Sequence, residues 1–317
     1  MLSKNGKNYY LVKGDKNNKS HINDKNKIID RITRIQRITK PFISQGNKYY
    51  QWGQYLWKDQ LIDQLNSGII PDNRFIELLS SAYPPPHTPK PFQLKPIVLN
   101  HNNLMMMEAI WASGSQKSYR LNNHYYFTEH AGGLEIDECK IKKIFLHTDP
   151  GILDSEQKII LPGNKGENEN VPYVFHTHPY DPERLEDGII YEFPSANDIF
   201  HFMYLHNIRR TMGSIILAPE GVYIIRAIYV ERNFILDLNL HYKIERFLEK
   251  VQDQAYQKYK DEKKFYEVVI NDYSFINKIN KKIADHNVVI EYHARTKINN
   301  EWRYREIVLW CPARGIS

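Results

Sequence analysis

Two histidines and one carboxylate are spaced so that they could share a single metal ion. The β-type run Val171–Phe175 delivers His176 and His178 on either side of Thr177. Side chains alternate across a strand, so both imidazoles face the same side. Pro179 ends the strand, because it cannot donate to the ladder. The sixteen residues 179–194 lead to Ser195-Ala196-Asn197-Asp198, which opens a helix-like run through His206. Ser195 and Asp198 are three apart at a helix start, which places Asp198 in the first turn. Two histidines and a carboxylate, with a fourth position left to water, form the ligand pattern of a catalytic zinc site. Each piece alone has an ordinary reading: Ser-x-x-Asp is a capping box, and a lone His-x-His is usually a core or surface pair. Their conjunction favours the metal.

His-Thr-His-Pro at a strand end followed by Pro-Ser-x-x-Asp at a helix start resembles the signature of the JAMM (MPN-plus, JAB) zinc metalloproteases. The resemblance covers residues 95–232 and implies an α+β fold, a JAB/MPN-like mixed sheet flanked by helices. It implies that His176, His178 and Asp198 bind Zn2+ and that Ser195 supports an oxyanion. It also implies a general base on a glutamate in an E-x-x-G-x-L setting. Glu129-His130-Ala131-Gly132-Gly133-Leu134 fits that setting, with Glu135 as the second candidate. The implied reaction is zinc-dependent hydrolysis of an amide or isopeptide bond in a protein substrate, including a ubiquitin or ubiquitin-like conjugate. The chain departs from the family in the greater length of the 179–194 connection, which bears on the cleft mouth and not on the ligand set. Residues 180–194 carry five acidic side chains against Arg184 alone, which predicts an acidic, substrate-selecting flap.

The elements that must position these residues follow from periodicity and breakers. Tyr9–Val12 reads as a strand, and Asp24–Thr39, Gln51–Asn66 and Asn73–Ala82 as helices. Isoleucines 28, 32, 35 and 38 stripe the first of these, beside Arg31, Arg34 and Arg37. The run Tyr83–Pro91 favours extended polyproline structure and reads as a stiff linker. Beyond it come a helix at Leu104–Ala112, with Met105, Met106 and Met107 as core filler, and strands at His124–Thr128 and Lys142–Thr148. Loops are expected at 149–151 and 162–170. Strands Ser214–Ala218 and Val222–Tyr229 flank a Pro219-Glu220-Gly221 turn. A long helix is expected over Asn233–Glu262 and a second helical segment over Phe265–Asp285, broken near Asn271-Asp272. Strands Val288–Ala294 and Trp302–Trp310 would form a terminal hairpin. This organises the chain as a basic helical region with linker (1–94), the metalloprotease core (95–232) and a C-terminal helical extension with a β-hairpin (233–317).

Composition bounds the remaining classes. The only cysteines, Cys139 and Cys311, exclude a disulfide framework and the Pro-Cys-x-x-Cys motif of zinc nucleobase deaminases, and fit a reducing, intracellular compartment. Met1–Gly14 lacks the apolar core of a signal peptide. The longest apolar-rich stretch, Ser214–Val230, is interrupted by Glu220 and Arg226, so no membrane span is expected. The net charge of +6 is uneven, with twelve Lys/Arg against three Asp in residues 1–50. That asymmetry points to an acidic partner or nucleic acid for the N-terminal region, against the plainer reading of a solubilising arm. The alternative to an enzyme is a catalytically silent scaffold of the same fold, or a particle-assembly protein that works through the basic segment.

Overall fold

Runs of β-branched and aromatic residues near the two histidines build a six-stranded mixed sheet. The computed structural model describes residues 2–5, 8–11, 83, 86–88, 94–116, 118–121, 124–146, 171–180 and 188–312. The helices expected between 24 and 82, and the loops at 149–151 and 162–170, lie outside the described residues. The chain divides into two compact units, Met1–Pro85 and Pro86–Ser317. In the first, β1 (Leu2–Asn5) and β2 (Asn8–Leu11) form an antiparallel hairpin.

The second unit begins with β3 (Leu94–Leu99), α1 (His101–Gln116), β4 (Ser118–Leu121), β5 (His124–Phe127), β6 (Ala131–Asp137) and β7 (Lys140–Leu146). Then come β8 (Tyr173–Thr177), α2 (Ala196–Arg209), β9 (Gly213–Leu217), β10 (Gly221–Ala227), α3 (Leu238–Tyr259) and α4 (Ser274–Ile283). It closes with β11 (Val288–Ala294), β12 (Thr296–Ile298), β13 (Glu301–Arg303) and β14 (Ile307–Pro312). The sheet order is β11-β10-β9-β8-β6-β7. Neighbours are antiparallel except β8 and β9, which run parallel and are joined through α2. A parallel pair needs such a crossover, and this one brings the start of α2 back to the end of β8. The architecture is α+β: a mixed sheet flanked by helices.

Alternation along the strands divides the sheet into two faces. Ile216, Tyr223, Ile225, Ile290 and Tyr292 join Ile199, Phe202, Ile244, Val251, Phe275 and Ile279 from α2, α3 and α4 in one buried cluster. On the opposite face Arg226 and Glu291 are buried and hydrogen-bonded to each other. The Tyr173 hydroxyl there donates to the Trp310 carbonyl at 2.8 Å and accepts from the Trp310 amide at 2.9 Å. β11 is an edge strand, and its open backbone is covered by a side chain. Asn280 donates to the Ile290 carbonyl and accepts from the Ile290 amide, each at 2.7 Å, which blunts the edge against further pairing.

Three sequence expectations change here. The terminal hairpin does not form: Val288–Ala294 pairs with β10 and Ile307–Pro312 with β3, leaving only the short β12–β13 hairpin between them. Residues 233–317 therefore supply four strands, one of them in the main sheet, and two α-helices to the same unit as the histidine strand. Among the three methionines only Met107 is buried; Met105 and Met106 are about half exposed, because α1 turns them outward. The end of the Pro-rich run is more than a linker. His87 donates its amide to Ile228 O (2.7 Å), accepts from Val230 N (2.9 Å) and stacks on Tyr229 with ring centroids 4.4 Å apart.

Candidate metal centre

His176 is the last-but-one residue of β8, and the chain past Thr177 stays extended long enough for His178 to reach the same side. Register places Ala131 opposite His176 and Ile216 beside it. The pairing continues past the strand end, where Thr177 N donates to His130 O (2.9 Å) and His130 N to Thr177 Oγ1 (2.8 Å). Glu129 therefore lies across from His178, on the histidine side of the sheet. Glu135 lies six residues further on, within β6, exposed and paired with Lys143, beyond Tyr173 at the far end of β8. Gly132, between those glutamates, is needed for close approach: a Cβ there would lie 2.6 Å from the Phe175 ring and closer still to Phe145 O.

Asp198 reaches the site through its helix cap. Ser195 is the N-cap of α2: its Oγ accepts from Asp198 N at 3.1 Å, and its amide donates to Asp198 Oδ2 at 2.7 Å. This capping box fixes the carboxylate while leaving it pointing at the histidines. His176 Nε2 lies 3.2 Å from Asp198 Oδ1, His178 Nε2 lies 3.6 Å from Oδ2, and the two Nε2 atoms are 3.1 Å apart. Four-coordinate zinc with bonds of 2.0–2.1 Å sets neighbouring ligand atoms roughly 3.3 Å apart. These three groups can therefore hold a metal ion with little movement.

Supporting contacts orient His178. Its Nδ1 is 3.2 Å from the Glu192 carbonyl, which only a protonated Nδ1 can satisfy, so the Nε2 lone pair is left for a metal. Its backbone is pinned at both ends, by Trp111 Nε1 donating to its carbonyl and by its amide donating to Leu217 O, each at 2.8 Å. Burial disfavours the His178 imidazolium. Asp198 overrides that, with Glu129 and Glu192 adding to it, and raises the group to about 9. For Asp198 burial works against ionisation, yet His176 and His178 hold its carboxyl well below the usual range. His176 is fully buried, and among the described residues its Nδ1 has no hydrogen-bond partner.

Three further residues were not singled out from the sequence as site residues. Glu192 supplies the carbonyl for His178. Glu220, fully buried at the β9–β10 turn, accepts from Glu192 N (2.7 Å) and from the Tyr223 hydroxyl (2.6 Å) through Oε1. Burial raises its carboxyl, against the lowering effect of Tyr223, to about 7. Both residues act across long sequence separations, and no local pattern announces them. His201 is different, being one turn beyond Asp198 on α2. Burial first, then His176, lowers its pKa, so it stays neutral beside His176 and Asp198. Its i+3 spacing from Asp198 was the available signal.

Comparison with known proteins leaves the reading of the site to its geometry. No family model matches the chain, and no solved structure matches it. The chain is similar to Uncharacterized protein R413 of Acanthamoeba polyphaga mimivirus, with 35% identity over 230 residues, 67% of this chain and 65% of that protein. It thus spans just under two thirds of that relative's length. Among the described residues no helix is long and apolar enough to cross a membrane.

Proposed function

We propose that the chain is a zinc-dependent hydrolase of amide or isopeptide bonds, built on a JAB-like domain. The observation that carries this reading is the convergence of His176 Nε2, His178 Nε2 and the Asp198 carboxylate at tetrahedral spacing. Zinc held by them would polarise a substrate carbonyl and lower the pKa of a water to roughly 7. Glu129, which acts electrostatically on His178, is the general base: it accepts a proton from the attacking water and passes it to the leaving amine. Ser195 Oγ accepts from Asp198 N, so its own proton is available to an oxyanion at the positive end of α2. No covalent intermediate is needed. The substrate class is a protein, with ubiquitin-like conjugates as the first to be tried. The excess of acidic groups in 180–194 disfavours acidic residues near the scissile bond. The basic residues 1–50 recruit an acidic partner or nucleic acid.

The deciding experiment measures bound metal on the purified chain and, on the same sample, cleavage of ubiquitin chains and of generic peptides. Bound zinc with cleavage of either supports the reading. Absence of metal, or metal without cleavage of any substrate, moves the weight to a silent scaffold of the same fold.

A further inference from the structure

The chain has only two cysteines, 172 residues apart in the sequence, and folding brings them together. Cys139 occupies the turn between β6 and β7; Cys311 lies on β14, opposite Lys95 of β3. The Cys311 thiol is within hydrogen-bonding reach of the Cys139 thiol. A meeting of the only two cysteines is not what scattered placement would give. The turn supplies a second, independent observation. Asp137 pairs with Lys140, so Glu138 and Cys139 are the two loop residues of the hairpin, and both have positive φ, 47° and 56°. A two-residue turn of this kind selects Asn-Gly or Asp-Gly, and a cysteine there sits in a conformation that L residues avoid. The backbone thus carries a cost at the position that Cys139 occupies.

We infer that Cys139 and Cys311 form a thiol–disulfide pair, a latch that joins the tip of the β6–β7 hairpin to the β3–β14 ribbon when a small disulfide oxidant is present. Cys139 is partly exposed and Cys311 buried, which sets the order of events. With glutathione disulfide as oxidant, the Cys139 thiolate attacks one of its sulfurs and releases one glutathione thiol. Cys311 then loses its proton to solvent and attacks the mixed disulfide at Cys139, releasing the second glutathione. Two protein thiols are oxidised and one disulfide is reduced to two thiols. Burial, then the neighbouring Cys139, push the Cys311 thiol up to about 12, which makes the second step the slow one. The latch closes over the hairpin whose first strand follows Glu129 and pairs with the histidine strand. It is independent of whether the site hydrolyses anything.

The test uses the full chain, reduced and then equilibrated in glutathione/glutathione-disulfide buffers of rising oxidising strength. Expected are loss of two hydrogens in the intact mass, a fall from two alkylatable thiols to none, and one cross-linked peptide joining residues 139 and 311. The oxidised chain should remain monomeric and melt at least about 4 °C above the reduced chain. Cys311→Ser should stop at the glutathione adduct on Cys139, and Cys139→Ser should gain neither adduct nor Tm shift. Disulfide-linked dimers, a wild-type chain that stops at the mixed disulfide, two thiols that stay reduced, or a bond that leaves Tm unchanged would each overturn the latch.

Discussion

At the scale of single residues, Asp198 holds two positions at once: it closes the cap of α2 and faces the histidine pair. A capping box is ordinarily sufficient explanation for Ser-x-x-Asp, and here the cap serves to aim the carboxylate. Ligand and base should separate on mutation. His178→Ala or Asp198→Ala should remove metal and activity together, since two protein ligands hold zinc poorly. Glu129→Gln should keep stoichiometric metal and lose hydrolysis, whereas Glu135→Gln should keep both; metal content by mass spectrometry alongside turnover reads all four. A Glu129→Gln variant that still turns over would remove Glu129 from the mechanism. Glu220 gives a pH signature without any substrate. Its carboxyl is near 4.5 in the unfolded chain and about 7 in the native one, so between those values only the native chain holds the proton. Stability should fall as pH rises through that window, by roughly 3 kcal/mol, and level off above it. Glu220→Gln keeps the acceptor for Glu192 N and Tyr223, so it should flatten the slope and exceed wild-type stability at pH 8; denaturant titrations at pH 5 and 8 measure both. The grouping of His176, His178 and Asp198 was legible in the sequence because strand alternation and the first helical turn are local rules. Glu192 and Glu220 were not, because a backbone carbonyl and a turn glutamate acquire meaning only when residues 28 apart in the chain meet.

At the scale of elements, the connection from β8 to α2 ends in an anchored return. The acidic flap expected over 180–194 falls largely on 181–187, outside the described residues. The return is held firmly. Ile190, Tyr191 and Phe193 are buried in the core, Tyr191 donates to Val269 O at 2.8 Å and its carbonyl accepts from Gln252. Deleting residues 181–187 should therefore leave metal binding unchanged while altering preference across peptides of different charge. Deletion carried through Glu192 should cost His178 its partner and lower both metal affinity and solubility. If the short deletion leaves every substrate untouched, the segment is a passive excursion. The helices illustrate a different limit of reading from sequence. Leu240, Ile244, Phe247, Val251 and Ala255 at near-helical spacing are the sequence signal for α3, but the expected start is Asn233, whereas the helix begins after Asp237, whose carboxylate accepts from Asn239 N at 3.0 Å. Phe234 explains the difference: its backbone exchanges hydrogen bonds with the Asn207 side chain, and that tertiary contact keeps the segment extended.

At the scale of the whole molecule, long-range strand pairing decides where the chain can be cut. Periodicity identified β11 and a terminal strand but could not say with what they pair; adjacency suggested a hairpin, and β10 and β3 took them instead. A chain ending at 232 would leave β10 without its outer neighbour and strip α3 and α4 from the core that holds Ile216, Tyr223 and Ile225. It should not yield folded protein. The N-terminal cut is more discriminating. The run Tyr83–Pro91 reads as linker up to Pro91, while the compact unit begins at Pro86. The difference is Pro86 to Lys90, within which His87 makes two backbone hydrogen bonds to the segment after β10 and stacks on Tyr229. Net hydrogen bonds of about 1 kcal/mol each, plus a ring contact of similar size, put the loss at roughly 2–3 kcal/mol. A chain starting at Pro86 should match the full-length protein in metal content and Tm for this unit, and one starting at Pro91 should bind metal but melt about 5–8 °C lower. Calorimetry of the two truncated chains decides it. Equal melting points would mean that the Pro-rich run is a linker throughout, and loss of metal from the Pro86 chain would mean that residues 1–85 help to build the site.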